Sequence, residues 1–159
     1  MNKKYLTFPH KQIRAEAIKK YIKGLNKKVI CFSCGNAAEA LENEGLDVLH
    51  IGEHGVLDAN VWFSQQSIGY LFPDYFDATS GHLNMELMLI IAMRYKEYLG
   101  ELSSPVYLPT GSGETLVCLK LVYPEVDFVA VYNLGPETEY SEYAPLNPLV
   151  RALASEVIF

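Results

Sequence analysis

The chain has 159 residues, of which 50% are hydrophobic and 20% charged. That balance excludes a disordered chain, and a chain of this length can bury a core without a metal or disulfide staple. Thirteen Lys and Arg against 19 Asp and Glu leave a formal net charge of -6, which argues against nucleic acid or an anionic membrane as a bulk partner. No apolar run is long enough to span a membrane, and MNKKYLTFPHKQIR lacks the apolar core of a signal peptide. Three cysteines point to a cytoplasmic protein with reduced thiols.

The first helix is predicted over residues 11–23. Ile13, Ala17, Ile18, Tyr21 and Ile22 recur at helical spacing, and Gly24 reads as the C-cap. The apolar run 29–32 reads as a buried parallel strand. Residues 37–44 read as a helix stopped by Gly45, and 46–51 as the next strand. This order is a βαβ unit. Residues 52–81 carry His54 and many aromatics, with a helix expected over 58–69. The longest helical pattern covers 82–99, with a stripe of Leu83, Leu87, Ile90, Ile91, Arg94 and Tyr98. A second βαβ unit follows: strand 105–108, turn 109–113, helix 115–123 and strand 126–131.

Two such units predict an α/β fold, a mostly parallel sheet with flanking helices. Residues 1–132 are expected to form one compact α/β domain, with two small lobes as the alternative. Residues 133–159 read as a C-terminal arm or docking segment. Their last ten residues are expected to form a helix or a strand lying on a neighbour.

Two turns carry candidate chemistry. Gly111-Ser112-Gly113-Glu114-Thr115 lies between a strand and a helix. Glycine lets backbone N–H groups converge on an anion there, and the helix N-terminus adds its dipole. Ser112 and Thr115 can add hydroxyl donors. The plain alternative is a tight turn in which Ser112 or Thr115 caps the helix. Ser33-Cys34-Gly35-Asn36 is the matching turn of the first unit, where Asn36 can donate to a ligand oxygen or cap its helix. Cys31 and Cys34 form a C-x-x-C, but Cys31 sits inside the strand, whereas a redox cysteine follows it. Zinc lacks further ligands at its usual spacing, so no metal is expected. His54 follows the second strand and is a candidate base. His82 and Glu86 stand one helical turn apart and are candidates for pairing or for a cleft.

Taken in order, these motifs resemble the fold type II, tryptophan-synthase-like pyridoxal-phosphate enzymes, nearest the threonine-synthase-like branch. The family's S-F-K-D-R lysine segment corresponds to Pro9-His10-Lys11-Gln12-Ile13-Arg14. Its S-S/T-G-N loop corresponds to Ser33-Cys34-Gly35-Asn36. Its Gly-rich phosphate loop corresponds to Gly111-Ser112-Gly113-Glu114-Thr115, and Gly81-His82 with Glu86 resembles the segment before that loop. The resemblance covers residues 9–131 and implies a reduced version of that fold. It implies Lys11 as the Schiff-base lysine and the two turns as the cofactor-binding loops. It places His54, His82 and Glu86 on the substrate side. The implied cofactor is pyridoxal phosphate, and the implied activity is a lyase-type β- or γ-elimination or replacement on an amino acid. The family's enzymes are about twice this length, and the late Ser or Thr that meets the pyridine nitrogen has no counterpart. Either a minimal enzyme or a homo-oligomer, such as a dimer that completes its site in trans, is therefore expected. The alternative is a non-catalytic relative acting as a binding or protein-interaction module. A phosphosugar or nucleotide binder that uses the 111–115 turn without Lys11 is a third reading.

Overall fold

The computed structural model describes residues 5–23, 28–31, 36–50, 70–71, 76–77, 82–111, 113–132 and 147–159. The chain divides into two compact units. One is His10–Ile91, and the other joins Met1–Pro9 to Ala92–Phe159.

The His10–Ile91 unit begins with α1, His10–Ile22. Its buried residues are Arg14, Ala15, Ala17 and Ile18, while Ile13, Tyr21 and Ile22 of the expected stripe are only half-buried. β1, Lys28–Cys31, leads to α2, Asn36–Asn43, and then to β2, Val48–His50. Ala37, Ala38, Ala40 and Leu41 of α2 are buried. Alanines on α1 and α2 let the two helices pack closely. Gly45 stops α2 at φ +80°, where its N–H reaches Glu42 O at 2.8 Å; a side chain there would be strained. β1 and β2 are parallel, with Val29 opposite Val48, so the first βαβ unit is present as expected.

β3, Tyr70–Leu71, β4, Phe76–Asp77, and β5, His82–Leu83, extend this sheet to the order β2-β1-β3-β4-β5. β3 runs parallel to β1, whereas β4 and β5 are antiparallel to their neighbours. Here the expected mostly parallel sheet gives way to a mixed one. Connections of a few residues permit only antiparallel pairing, because a parallel crossover needs a dozen or more. The helix expected over 58–69 and the cap at Gly24 lie outside the described residues.

α3, Met85–Leu99, runs from the first unit into the second. It starts three residues later than expected because Asn84 caps it. The Asn84 Oδ1 accepts the Leu87 N–H at 3.0 Å. Its buried face is Leu87, Met88, Ile91, Ala92 and Tyr95. Arg94 and Tyr98, expected on that face, are exposed, and Arg94 pairs with Glu97 at 3.4 Å.

The other unit holds a second, wholly parallel sheet. Its elements are β6, Val106–Thr110, α4, Glu114–Val122, β7, Phe128–Tyr132, α5, Asn147–Leu153, and β8, Glu156–Ile158. The strand order is β6-β7-β8. β7 is central and buried at every residue, as its unbroken apolar run requires. Pro109 is tolerated in β6 because β6 is an edge strand and Pro109 is exposed. The Leu6 N–H bonds Tyr107 O at 2.8 Å on that edge. The second βαβ unit thus forms as expected. Residues 147–159, expected as part of an arm, supply a helix and a strand of this unit's own sheet. β8 pairs with β7, with Ala130 opposite Val157.

The chain is therefore a mixed α/β protein. Among the described residues, no helix is long and apolar enough to cross a membrane.

Candidate functional site

The turn after β6 is built by its neighbours. Thr110 ends the strand buried, and its hydroxyl donates to Leu108 O at 2.9 Å. Gly111 is exposed, and a Cβ there would meet nothing within 4 Å. Gly113 is the N-cap of α4 at φ +89° and makes no side-chain cap bond. The Val117 N–H closes the first helical turn on Gly113 O at 3.1 Å. Leu116, Val117, Cys118 and Leu119 are buried. α4 is thus anchored by its own packing, and the position of its N-terminus follows from that.

Glu114 dominates this turn. It is 2% exposed and sits in the first turn of α4. The Tyr95 hydroxyl donates to Glu114 Oε1, and the Thr115 hydroxyl donates to Glu114 Oε2 at 3.1 Å. A buried carboxylate needs such donors to offset its desolvation, and the positive end of the helix dipole favours it further. Tyr95 is itself fully buried, with its ring edge-on to Phe8 at 5.1 Å. Capping by Thr115, expected as the plain alternative, is not what its hydroxyl does; it serves Glu114.

The remaining candidates fall as follows. Lys11 lies in the first turn of α1 and is half-buried. Its neighbour Gln12 donates to Glu44 Oε1 at 2.8 Å, and Lys19 pairs with Glu44 Oε2 at 3.7 Å, tying α1 to the end of α2. Asn36 is the first residue of α2. His82 lies in β5, opposite Asp77, and Glu86 is exposed in the first turn of α3. The expected one-turn spacing of His82 and Glu86 on a single helix is not formed, because the Asn84 cap separates strand from helix. Ser33, Cys34, Gly35, His54 and Ser112 lie outside the described residues. Lys11, Asn36, His82 and Glu86 belong to the first unit, and Gly111, Gly113, Glu114 and Thr115 to the second.

One participant escaped sequence reasoning. Tyr95 was hidden because a stripe through Arg94 and Tyr98 competes with one through Leu87, Met88, Ile91 and Tyr95. Among the described residues, no group of three or more His, Cys, Asp or Glu is placed to hold a metal.

The described residues on either side of Ser112 are an open Gly111 and a left-handed Gly113 that begins α4, with the Glu114 carboxyl buried in its first turn. No family model matches the chain, and no curated protein and no solved structure matches it.

Proposed function

We propose that this chain is a reduced relative of the fold type II pyridoxal-phosphate enzymes, holding pyridoxal phosphate or a similarly phosphorylated ligand. The observation that carries this reading is the order of elements. Lys11 is the second residue of α1, the 33–36 stretch ends on the first residue of α2, and the 111–115 stretch leads from the end of β6 into the first turn of α4. In this reading Lys11 Nζ anchors the ligand's aldehyde and carries the proton that is moved at the substrate α-carbon. Asn36 orients the ring oxygen, and the 111–115 turn anchors the phosphate. The cofactor, when bound, supplies an electron sink for an amino acid. The activity is then that of a lyase, an elimination or replacement at the β- or γ-carbon, in a cytoplasmic homo-oligomer.

The test is a visible spectrum of the purified chain with added pyridoxal phosphate, followed by borohydride reduction and peptide mapping. A reduced adduct on Lys11, lost in Lys11→Ala, is expected. No adduct at saturating cofactor, or one that survives Lys11→Ala, overturns the lysine assignment.

A second reading, a binding module that acts through protein contacts, is favoured by α3. Met85, Leu89 and Met93 recur every four residues on that helix and are each about half exposed. Leu89→Glu should then change the assembly state or abolish capture of a partner. An unchanged sedimentation profile and unchanged partners would count against it.

A further inference from the structure

We infer that α3 carries a self-complementary contact for a second copy of this chain, in which two α3 helices pair antiparallel about a two-fold axis at Leu89. The inference deepens the binding-module reading and rests on it, because it names the partner of that helix face.

Three observations carry it. Met85, Leu89 and Met93 form one apolar ridge, four residues apart on an unbroken helix and about half exposed. The helix's other face, Leu87, Met88, Ile91, Ala92 and Tyr95, is the one committed to the chain's own core. The order along the ridge is palindromic. A two-fold axis at Leu89 sets Leu89 on its own counterpart and Met85 on Met93 of the second copy, so the ridge is its own match. The flanking charges are self-complementary as well. Glu86 is exposed in the first turn, and no described residue pairs with it. Arg94, about two turns on, is exposed, and its ion pair with the exposed Glu97 at 3.4 Å is one that solvent keeps weak. Antiparallel pairing brings Glu86 beside Arg94 of the second copy, twice over, and also opposes the two helix dipoles. Parallel pairing sets Glu86 beside its own counterpart and is disfavoured. Three half-exposed side chains and their flanks fall short of the about 800 Å² per partner of a standard interface, so the dimer is a weak, reversible one.

The experiment is sedimentation velocity of the full-length chain, at concentrations up to about 1 mM, with its Leu89→Glu, Glu86→Arg and Arg94→Glu variants. The native chain is expected to dimerise reversibly. Leu89→Glu puts two carboxylates at the axis and should weaken the dimer by more than about tenfold. Each charge swap alone sets two like-charged pairs across the contact and should weaken it about tenfold. An equimolar mixture of Glu86→Arg and Arg94→Glu rebuilds both opposite-charge pairs. Native mass spectrometry of that mixture should show the mixed dimer in excess over either variant's own dimer. The three positions are exposed, and a folding defect in one variant leaves the others to decide. A native chain that stays monomeric throughout overturns the inference. So does a dimer that the folded variants leave unchanged, and so does a mixture with no excess of mixed dimer. A monomer that still captures a different protein, lost in Leu89→Glu, would sink the second copy and leave the binding-module reading standing. A restored mixed dimer together with pyridoxal phosphate trapped on Lys11 would do the reverse: the contact holds and the chain is not merely a binding module.

Discussion

Tyr95 and Glu114, 19 residues apart and on different helices, are joined by a buried hydrogen bond from the phenol to the carboxylate. The bond ties the end of α3 to the start of α4, so the turn that carries the candidate site is held from both sides. Tyr95→Phe removes one donor from a buried acid, and the destabilisation should be about 1–3 kcal/mol. A double-mutant cycle with Glu114→Gln, read by urea unfolding, should show a coupling above about 0.5 kcal/mol. Additive effects would mean that the two groups do not stabilise each other.

Gly113 and Gly111 should respond oppositely to the same substitution. Gly113 holds φ +89°, which costs an L side chain about 1–2 kcal/mol. Gly111 is exposed with open space around it. Thermal unfolding of Gly113→Ala should show the larger loss, and Gly111→Ala should stay within about 0.5 kcal/mol of the native chain. Equal losses would contradict the left-handed turn.

Asn84 has two partners. Its side-chain oxygen caps α3, and its amide donates to the Tyr21 hydroxyl of α1 at 3.0 Å. Asn84→Ala should cost about 1 kcal/mol from the lost cap alone. Asn84→Asp keeps the cap oxygen, so it should recover part of the stability lost in Asn84→Ala. If both variants melt with the native chain, α3 does not depend on this cap.

Alkali should weaken the fold through two tyrosines. Burial pushes the Tyr132 phenol above its ordinary range, with Arg151 pulling it partly back. Burial also raises Tyr123, whose hydroxyl donates to Gly100 O. A phenol that holds its proton more tightly when folded contributes stability in full below the unfolded value of about 10, and that contribution is lost as pH rises through the folded value. Urea midpoints should therefore fall above about pH 10, and less steeply in Tyr132→Phe. The stacking of Tyr132 on Phe159 at 5.7 Å survives that substitution, so the change in slope isolates the phenol. Identical slopes would remove Tyr132 from the account.

Local pattern determined much of this protein. The apolar runs read at 29–32 and 126–131 gave the strands Lys28–Cys31 and Phe128–Tyr132. Gly45 ended its helix, and both βαβ units followed from strands and helices in alternation. Such features depend on a few neighbouring residues, so they are legible in one dimension. The tertiary structure alone decided the rest. The tail read as a helix or a strand on a neighbour, but its pairing with β7 was not legible, because parallel pairing is set by partners distant in the chain. The amphipathic pattern of α3 allowed two faces, and packing chose the one that buries Tyr95. The Gly-rich turn read as an open anion cradle. Only the approach of Tyr95 to Glu114 turned a charged residue next to a glycine into a buried, hydrogen-bonded acid. Burial of a charge depends on donors brought from elsewhere in the fold, and no local spacing encodes their arrival.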